Sequence, residues 1–250
     1  MTEGIPEPRK TPSRGRRILR AAAVIGALAA PTVTDAREPQ TSAWVATVEK
    51  EKAPEVSSIP PTMRLGDLAQ PPIDFVNFCG RHPEECVPFV GSERERMTRE
   101  DGSDFRRLEL GDANAEVNAL PQVSDLDRFG RTEHWTIADS KGGDCEDLAI
   151  LKKRILQHVR GFQPNNLLLA HVLDEKNEGH IVLIVRMNDG DYVLDTKRRE
   201  IALWGEYATT HGYTFLSRQS YLDPKVWRKV LPLAEQNYSR RSHAPSEQRK

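Results

Sequence analysis

The feature that most constrains this fold is an amphipathic helix followed directly by strands. Residues 144–161 carry apolar side chains at helical spacing, which predicts a helix with one buried face. Three strand candidates follow at residues 167–173, 181–187 and 192–194, and the Asn188-Asp189-Gly190 sequence is expected to turn the second into the third. A helix ahead of an antiparallel sheet predicts an α+β fold.

The N-terminal region has the pattern of a secretory leader. A basic stretch from Arg14 to Arg20 runs into a small apolar segment, residues 21–30, that is too short to span a bilayer comfortably. We therefore expect residues 1–36 to be a signal peptide and the protein to be exported. The alternative is a disordered basic leader that contains an alanine-rich helix.

The rest of the chain suits one domain with flexible ends. A length of 250 residues accommodates one ordinary domain once both ends are discounted. Residues 37–62 are rich in Pro, Ser, Thr, Glu and Lys and are predicted to be a linker or flexible arm, and residues 238–250 a disordered basic tail. The folded domain is expected at residues 63–237. With 36 basic and 37 acidic residues, the charge balance gives no reason to expect nucleic acid as a partner.

The cysteines divide into a close pair and a single residue. Cys79 and Cys86 are expected to pair in an oxidising compartment. Cys145 lies in GGDCED, residues 142–147, at the predicted helix start, where the helix dipole favours a thiolate. Asp144 is a candidate N-cap and Asp147 a candidate partner in an arrangement close to a capping box. Cys145 is either a structural thiol or a reactive one.

His180 and Asp195 could complete a catalytic set with Cys145. The histidine begins one apolar strand and the aspartate ends the next, so the three would supply a nucleophile, a general base and an orienting carboxylate. With a turn at Asp189-Gly190, however, Asp195 would lie opposite Ile184, about 13 Å from His180 at the usual strand rise. His134 and His171 are the alternative bases.

Several segments together resemble a known family. The run from Trp135 through GGDCEDLAILKKRIL, GHIVLIV and GDYVLDTKRREIALW resembles the bacterial transglutaminase-like cysteine proteinases, and within them the LapG-type periplasmic proteases, as do PPIDFVNFCGRHPEEC and EVNALP. The resemblance implies a papain-like, transglutaminase-type core with its nucleophile at a helix N-terminus, packed on an antiparallel sheet. It implies Cys145, His180 and Asp195 as the triad, and Ca²⁺ held by Asp144 and Glu146.

The same resemblance implies a biological setting. Proteases of this type cleave a large surface adhesin near its N-terminal end, which controls attachment and biofilm formation, and an inner-membrane cyclic-di-GMP receptor inhibits them. Two other functions stay open on the residues alone: amide transfer through the same thioester, and a calcium-dependent binding module with a residual triad. Trp135, in the loop before Cys145, is either an interface residue or part of the core.

Export predicts a processed N-terminus. Because small residues at Ala27 and Ala29 fit the pattern that signal peptidase reads, the mature protein should begin after roughly residues 29 to 36. Mass measurement of the protein purified from its own cells tests this. An intact chain that starts at Met1 would contradict the prediction.

Overall fold

The structure is a computed structural model, and it describes residues 59–236. Within this range, strands form an antiparallel sheet in the order β1-β7-β6-β2-β3-β4-β5. The strands are β1 (Leu65–Ala69), β2 (Leu167–Leu173), β3 (Gly179–Met187), β4 (Gly190–Leu194), β5 (Ala202–Leu203), β6 (Thr214–Gln219) and β7 (Trp227–Val230).

Helices precede, interrupt and follow this sheet. Helix α5 packs on β3 and β2, and α3 packs on α5. The helices are α1 (Ile73–Arg81), α2 (Glu93–Met97), α3 (Asp104–Asn118), α4 (Asp125–Phe129), α5 (Cys145–His158), α6 (Trp204–Thr209) and α7 (Leu233–Gln236). This arrangement confirms the predicted α+β fold, with Cys145 at the start of a helix that packs on an antiparallel sheet.

The two central strands are buried on both faces, which explains why they read as nearly continuous apolar runs. In β2 and β3 the odd-numbered side chains, such as Leu169 and Leu183, pack in one core cluster with Ala149, Ile150 and Leu156 of α5. The even-numbered side chains pack on the other face in a second cluster, whose members include Leu168, Val182, Ile184, Trp204 and Tyr207. Alternate side chains of a strand point to opposite faces, so each face needs its own cover.

The hairpin between β3 and β4 differs from the expected one. Met187 pairs with Gly190, so the two-residue turn is Asn188-Asp189 and Gly190 is the first residue of β4. A Cβ atom at Gly190 would lie 2.4 Å from the Leu203 side chain and 3.0 Å from the backbone of residue 61. The glycine is therefore required for close packing inside the strand and not for the turn itself.

This shift changes which residues face each other across the hairpin. Extended by one residue, the observed register places Asp195 beside Val182, whereas the expected register placed it opposite Ile184. Asp195 is thus two residues along the strand from His180, or about 7 Å, on the same face. The predicted separation of about 13 Å was wrong because it assumed the turn at Asp189-Gly190.

Two further predictions concern side chains near the helix α1 region. Cys79 and Cys86 are joined in a disulfide, as predicted, while Cys145 is free. Trp135 is 2% exposed and packs edge-on against Phe75, with ring centroids 5.7 Å apart. Its burial favours the core interpretation over the interface one.

The proposed ends of the chain lie outside the described residues. These are the signal peptide at 1–36, nearly all of the linker at 37–62, and the tail at 238–250, so the domain limits stay predictions. Within residues 59–236 we find no helix whose length and hydropathy would suit a membrane span.

Candidate active site

Cys145 is the first residue of α5, as predicted, but the hydrogen bonds at the helix start differ from the predicted ones. Asp144 occupies the N-cap position, yet its side chain makes no capping hydrogen bond. The Asp144 carboxylate instead accepts a hydrogen bond from the Asp125 backbone N–H at 3.3 Å, and the Asp147 carboxylate accepts one from the Thr136 N–H at 2.6 Å. The N-cap position of Asp144 is confirmed, but the predicted capping-box contacts were wrong because both acids face the preceding loop.

His180 and Asp195 form a buried hydrogen-bonded pair. Nε2 of His180 lies 2.7 Å from Oδ1 of Asp195, and the two residues are 3% and 0% exposed. The observed hairpin register makes this contact possible, because it brings the end of β4 to the start of β3. A carboxylate in this position fixes the orientation and the tautomer of the imidazole, and leaves Nδ1 as its second ring nitrogen.

The Asp195 carboxylate is held by three groups from different parts of the chain. Besides His180, the Tyr213 hydroxyl donates to Oδ2 at 2.7 Å and the Lys197 backbone N–H donates to Oδ1 at 3.0 Å. Burial alone would raise the pKa of Asp195, but the hydrogen bonds and the attraction of His180 outweigh it and lower that pKa. Asp195 is therefore kept as a carboxylate inside the core.

Tyr213 is a site residue that the sequence analysis missed. It immediately precedes β6 and lies 18 positions from Asp195 along the chain. Its hydroxyl reaches the carboxylate only because the sheet places β6 next to β2 and β2 next to β3. No spacing rule in the sequence identifies such a contact.

Cys145 and His180 line one small cavity of about 330 Å³, between α1 and the start of β3. Of the alternative bases, His171 lines the same cavity, and burial lowers its pKa. His134 does not line it, since its ring packs against Phe129 at a centroid distance of 4.7 Å. Among these histidines, His180 alone has a carboxylate partner on its ring.

The thiol of Cys145 lies against an acid. Its Sγ is 3.1 Å from Oε2 of Glu146, to which the protonated thiol donates. Burial first, and then the negative charge of Glu146, raise the pKa of Cys145 well above its usual range. The acids beside the nucleophile thus oppose formation of the thiolate.

A cluster of five acids surrounds this end of α5. One oxygen each from Asp125, Glu133 and Glu146 lie within 4.8 Å of one another, and so do one oxygen each from Asp125, Asp144 and Asp147. The predicted ligands Asp144 and Glu146 therefore fall in two overlapping groups that share Asp125. The sequence analysis missed Asp125 and Glu133. They lie 19 and 11 positions before Asp144 and are therefore outside the GGDCED motif.

Two glycines allow the loop that carries Asp125 to approach the helix. Gly142 has a φ of +88°, and a Cβ atom there would lie 1.8 Å from the Pro121 carbonyl oxygen. Gly143 makes two backbone hydrogen bonds to this loop. Its N–H donates to the Pro121 carbonyl at 3.2 Å, and its carbonyl accepts from the Val123 N–H at 3.1 Å. Helix α4 begins two residues later, so Asp125 is placed directly against Asp144.

The cluster has the properties of a site for a hard cation. Oxygens that bind one Ca²⁺ at about 2.4 Å can be at most about 4.8 Å apart, which both groups satisfy. One carboxylate oxygen in each of Asp125, Asp144 and Asp147 is buried without a hydrogen-bond partner. Burial and neighbouring carboxylates raise the pKa of Glu146 to about 9 and that of Asp147 to about 7. These residues fit an oxygen-coordinated cation.

The Tyr213 contact predicts a measurable stability effect. Tyr213→Phe removes the donor to a buried Asp195 oxygen, so the free energy of unfolding should fall by about 1 to 3 kcal/mol. Tyr207→Phe is the matched control, because its hydroxyl donates to a backbone carbonyl at 3.4 Å and should cost less. Equal losses in urea denaturation of the two variants would contradict the assigned role of Tyr213.

Comparison with known proteins identifies a family whose model matches this chain. The family model described as bacterial transglutaminase-like cysteine proteinase (BTLCP) matches residues 65–235. A search of curated proteins gave no match. Among solved structures, calcium-bound LapG of Legionella pneumophila is 20% identical, with a TM-score of 0.40 over 52% of this chain and 77% of that chain.

The EGTA-treated form of Legionella pneumophila LapG is also 20% identical, with a TM-score of 0.38 over 47% of this chain. The match spans 64% of that protein, less than two thirds of its length. The family model, in contrast, covers the described sheet and helix α5 together. The chain belongs to the bacterial transglutaminase-like cysteine proteinase family.

Proposed function

We propose that this proteinase is a calcium-dependent cysteine endopeptidase in which Cys145, His180 and Asp195 form the catalytic triad. The observation that carries the proposal is the buried His180–Asp195 pair, because His180 lines one cavity with the free thiol and Asp195 holds His180 from behind. These residues supply the nucleophile, the general base and the orienting carboxylate that a thiol protease needs.

The reaction uses both nitrogens of the imidazole. Asp195 engages Nε2, so Nδ1 takes the proton from the Cys145 thiol. The sulfur attacks the peptide carbonyl carbon, the C–N bond breaks, and the protonated His180 returns a proton to the leaving amine. Water, deprotonated by His180, then hydrolyses the thioester and restores the thiol. The backbone N–H of Cys145, at the unpaired start of α5, is a candidate donor to the oxyanion.

Calcium forms part of the proposal because of the acid cluster. The residues that would hold it come from the two groups of Asp125 with Glu133 and Glu146, and of Asp125 with Asp144 and Asp147. A bound Ca²⁺ would supply positive charge beside the nucleophile and satisfy the buried oxygens that have no partner. It would also fix α4 and the loop before Cys145 against the start of α5.

The substrate, the location and the regulation complete the proposal. We propose a periplasmic enzyme that cleaves a large surface adhesin near its N-terminal end and so controls attachment and biofilm formation. An inner-membrane cyclic-di-GMP receptor is the proposed inhibitor. Family membership supports a protein substrate, while the basic and apolar leader at residues 1–36 supports export.

Release of a surface protein tests the function directly. Cells that express the wild-type chain should release a shortened surface protein, and Cys145→Ala should reduce its release by at least about 1000-fold, since it removes the nucleophile. The measurement is mass spectrometry of the released proteins, with new N-termini as the signature of proteolysis. Mass gain or crosslinks would identify amide transfer instead.

The role of His180 has an internal control. His180→Gln should be as inactive as Cys145→Ala, whereas His134→Gln should keep nearly the full rate, because the His134 ring lies outside the cavity. Full activity of Cys145→Ala would show that the triad is residual.

The calcium proposal predicts the effect of replacing Asp125, the acid that both groups share. Asp125→Asn should weaken Ca²⁺ binding by at least about tenfold in calorimetry, because it removes a charged ligand from each group. Asp112→Asn is the matched control, since Asp112 is exposed on α3 and away from the cluster. Mg²⁺ should substitute poorly, because it demands a tighter octahedral shell. Metal-free protein, verified by elemental analysis, that cleaves at the full rate would contradict a catalytic requirement for calcium.

A further inference from the structure

A second cavity lies at the other end of helix α5. Its volume is about 530 Å³, which is within the usual range for small-molecule sites. It is enclosed by the segment after the disulfide, by the last turns of α5 and by the turn between β6 and β7. Representative lining residues are Val87, Phe89, Lys153, Leu168 and Tyr221.

This cavity is separate from the catalytic one. The two share no lining residue. Lys153 follows Cys145 by about 12 Å along the axis of α5, at the rise of ~1.5 Å per residue of an α-helix. A ligand in the second cavity would therefore not occupy the space in front of the thiol.

Lys153 is the unusual group in this cavity. Its side chain lines the cavity although the residue is only 7% exposed. Within residues 59–236 its ammonium has no hydrogen bond or ion pair, and the charge that acts on it is the more distant Glu85. Burial lowers the pKa of Lys153 to about 8, so the group is still mainly protonated at neutral pH. A buried cation without a partner is costly unless an anion accompanies it.

The other charges around the cavity leave Lys153 available. Glu85 is already engaged in an ion pair with Arg154. Glu84 is exposed to solvent and lies 3.5 Å from His82, and His158 is exposed at the end of α5. The acids are therefore either paired or screened by water, and neither neutralises the lysine.

The remaining walls are largely apolar. Valine, proline and phenylalanine side chains of residues 87–90 form one side, and Leu168, Pro164 and Pro224 contribute to the others. Val87 and Val90 are 60% and 89% exposed, so this rim offers apolar surface to a ligand. The cavity thus combines the unpaired Lys153 and the ion-paired Arg154 with walls that are largely apolar.

We propose that this cavity is a second binding site, for a carboxylate carried on an apolar body, with Lys153 as the group that pairs with the carboxylate. The apolar body would lie against residues 87–90 and Leu168. Two sources share this chemistry, a free fatty acid and the C-terminal carboxylate of an apolar peptide. The site does not depend on the protease activity proposed above.

Calorimetry with two probes tests the proposal on the full chain. The probes are octanoate and acetyl-Val-Leu-Phe with a free C-terminus, and the controls are octanol and the same peptide as its amide. We expect at least one carboxylate to bind and its neutral counterpart to bind at least about tenfold more weakly, as expected for loss of a charge-assisted hydrogen bond. Binding of octanoate alone would identify a fatty-acid site, and binding of the peptide alone a chain-terminus site.

A pair of lysine variants separates this site from general attraction. Lys153→Met keeps the apolar stem and should weaken carboxylate binding by at least about tenfold, with an unfolding midpoint that is unchanged or raised because a buried cation is removed. Lys225→Met, at an exposed lysine outside the lining, should bind within about twofold of wild type. Equal binding to both variants, or no binding of either carboxylate to the wild-type chain, would overturn the proposal.

Discussion

The buried hydrogen bond between His180 and Asp195 is the contact on which the arrangement of this site depends. It exists because Asn188-Asp189 form the turn of the β3–β4 hairpin, which brings the end of one strand to the start of the other. A one-residue change of register would turn every side chain of β4 to the opposite face. The close packing around Gly190 holds the hairpin in its register, and the Tyr213 hydroxyl holds the carboxylate.

The start of α5 places a cysteine that must ionise next to several carboxylates. A cysteine nucleophile requires a thiolate, but burial first, and then the acids beside Cys145, raise the pKa of the thiol. The same acids leave buried oxygens without partners. An oxygen-coordinated cation would act on both, because it would satisfy the carboxylates and offset their charge. The ionisation of the nucleophile and the proposed calcium site are therefore coupled, because both depend on the same acids.

Helix α5 connects two regions of different chemistry. Its first residue lines a small cavity with His180, and Lys153, farther along, lines a larger cavity. Both cavities are rigidly related, because the helix packs along β3 and β2 in the main core. In each one burial shifts the pKa of a titratable group, upward for Cys145 and downward for Lys153.

The sequence by itself determined the α+β order, the bounds of β2, the start of α5 and the Cys79–Cys86 disulfide, because periodicity and cysteine spacing are local properties. It also identified Cys145, His180 and Asp195 as candidates, on residue type and family resemblance. Only the tertiary structure decided the hairpin register, the contact of Tyr213 with Asp195 and the position of Asp125 beside Asp144. These contacts join residues that are distant in the chain, and they depend on strand order, on glycines that permit close approach, and on which face of each element is buried.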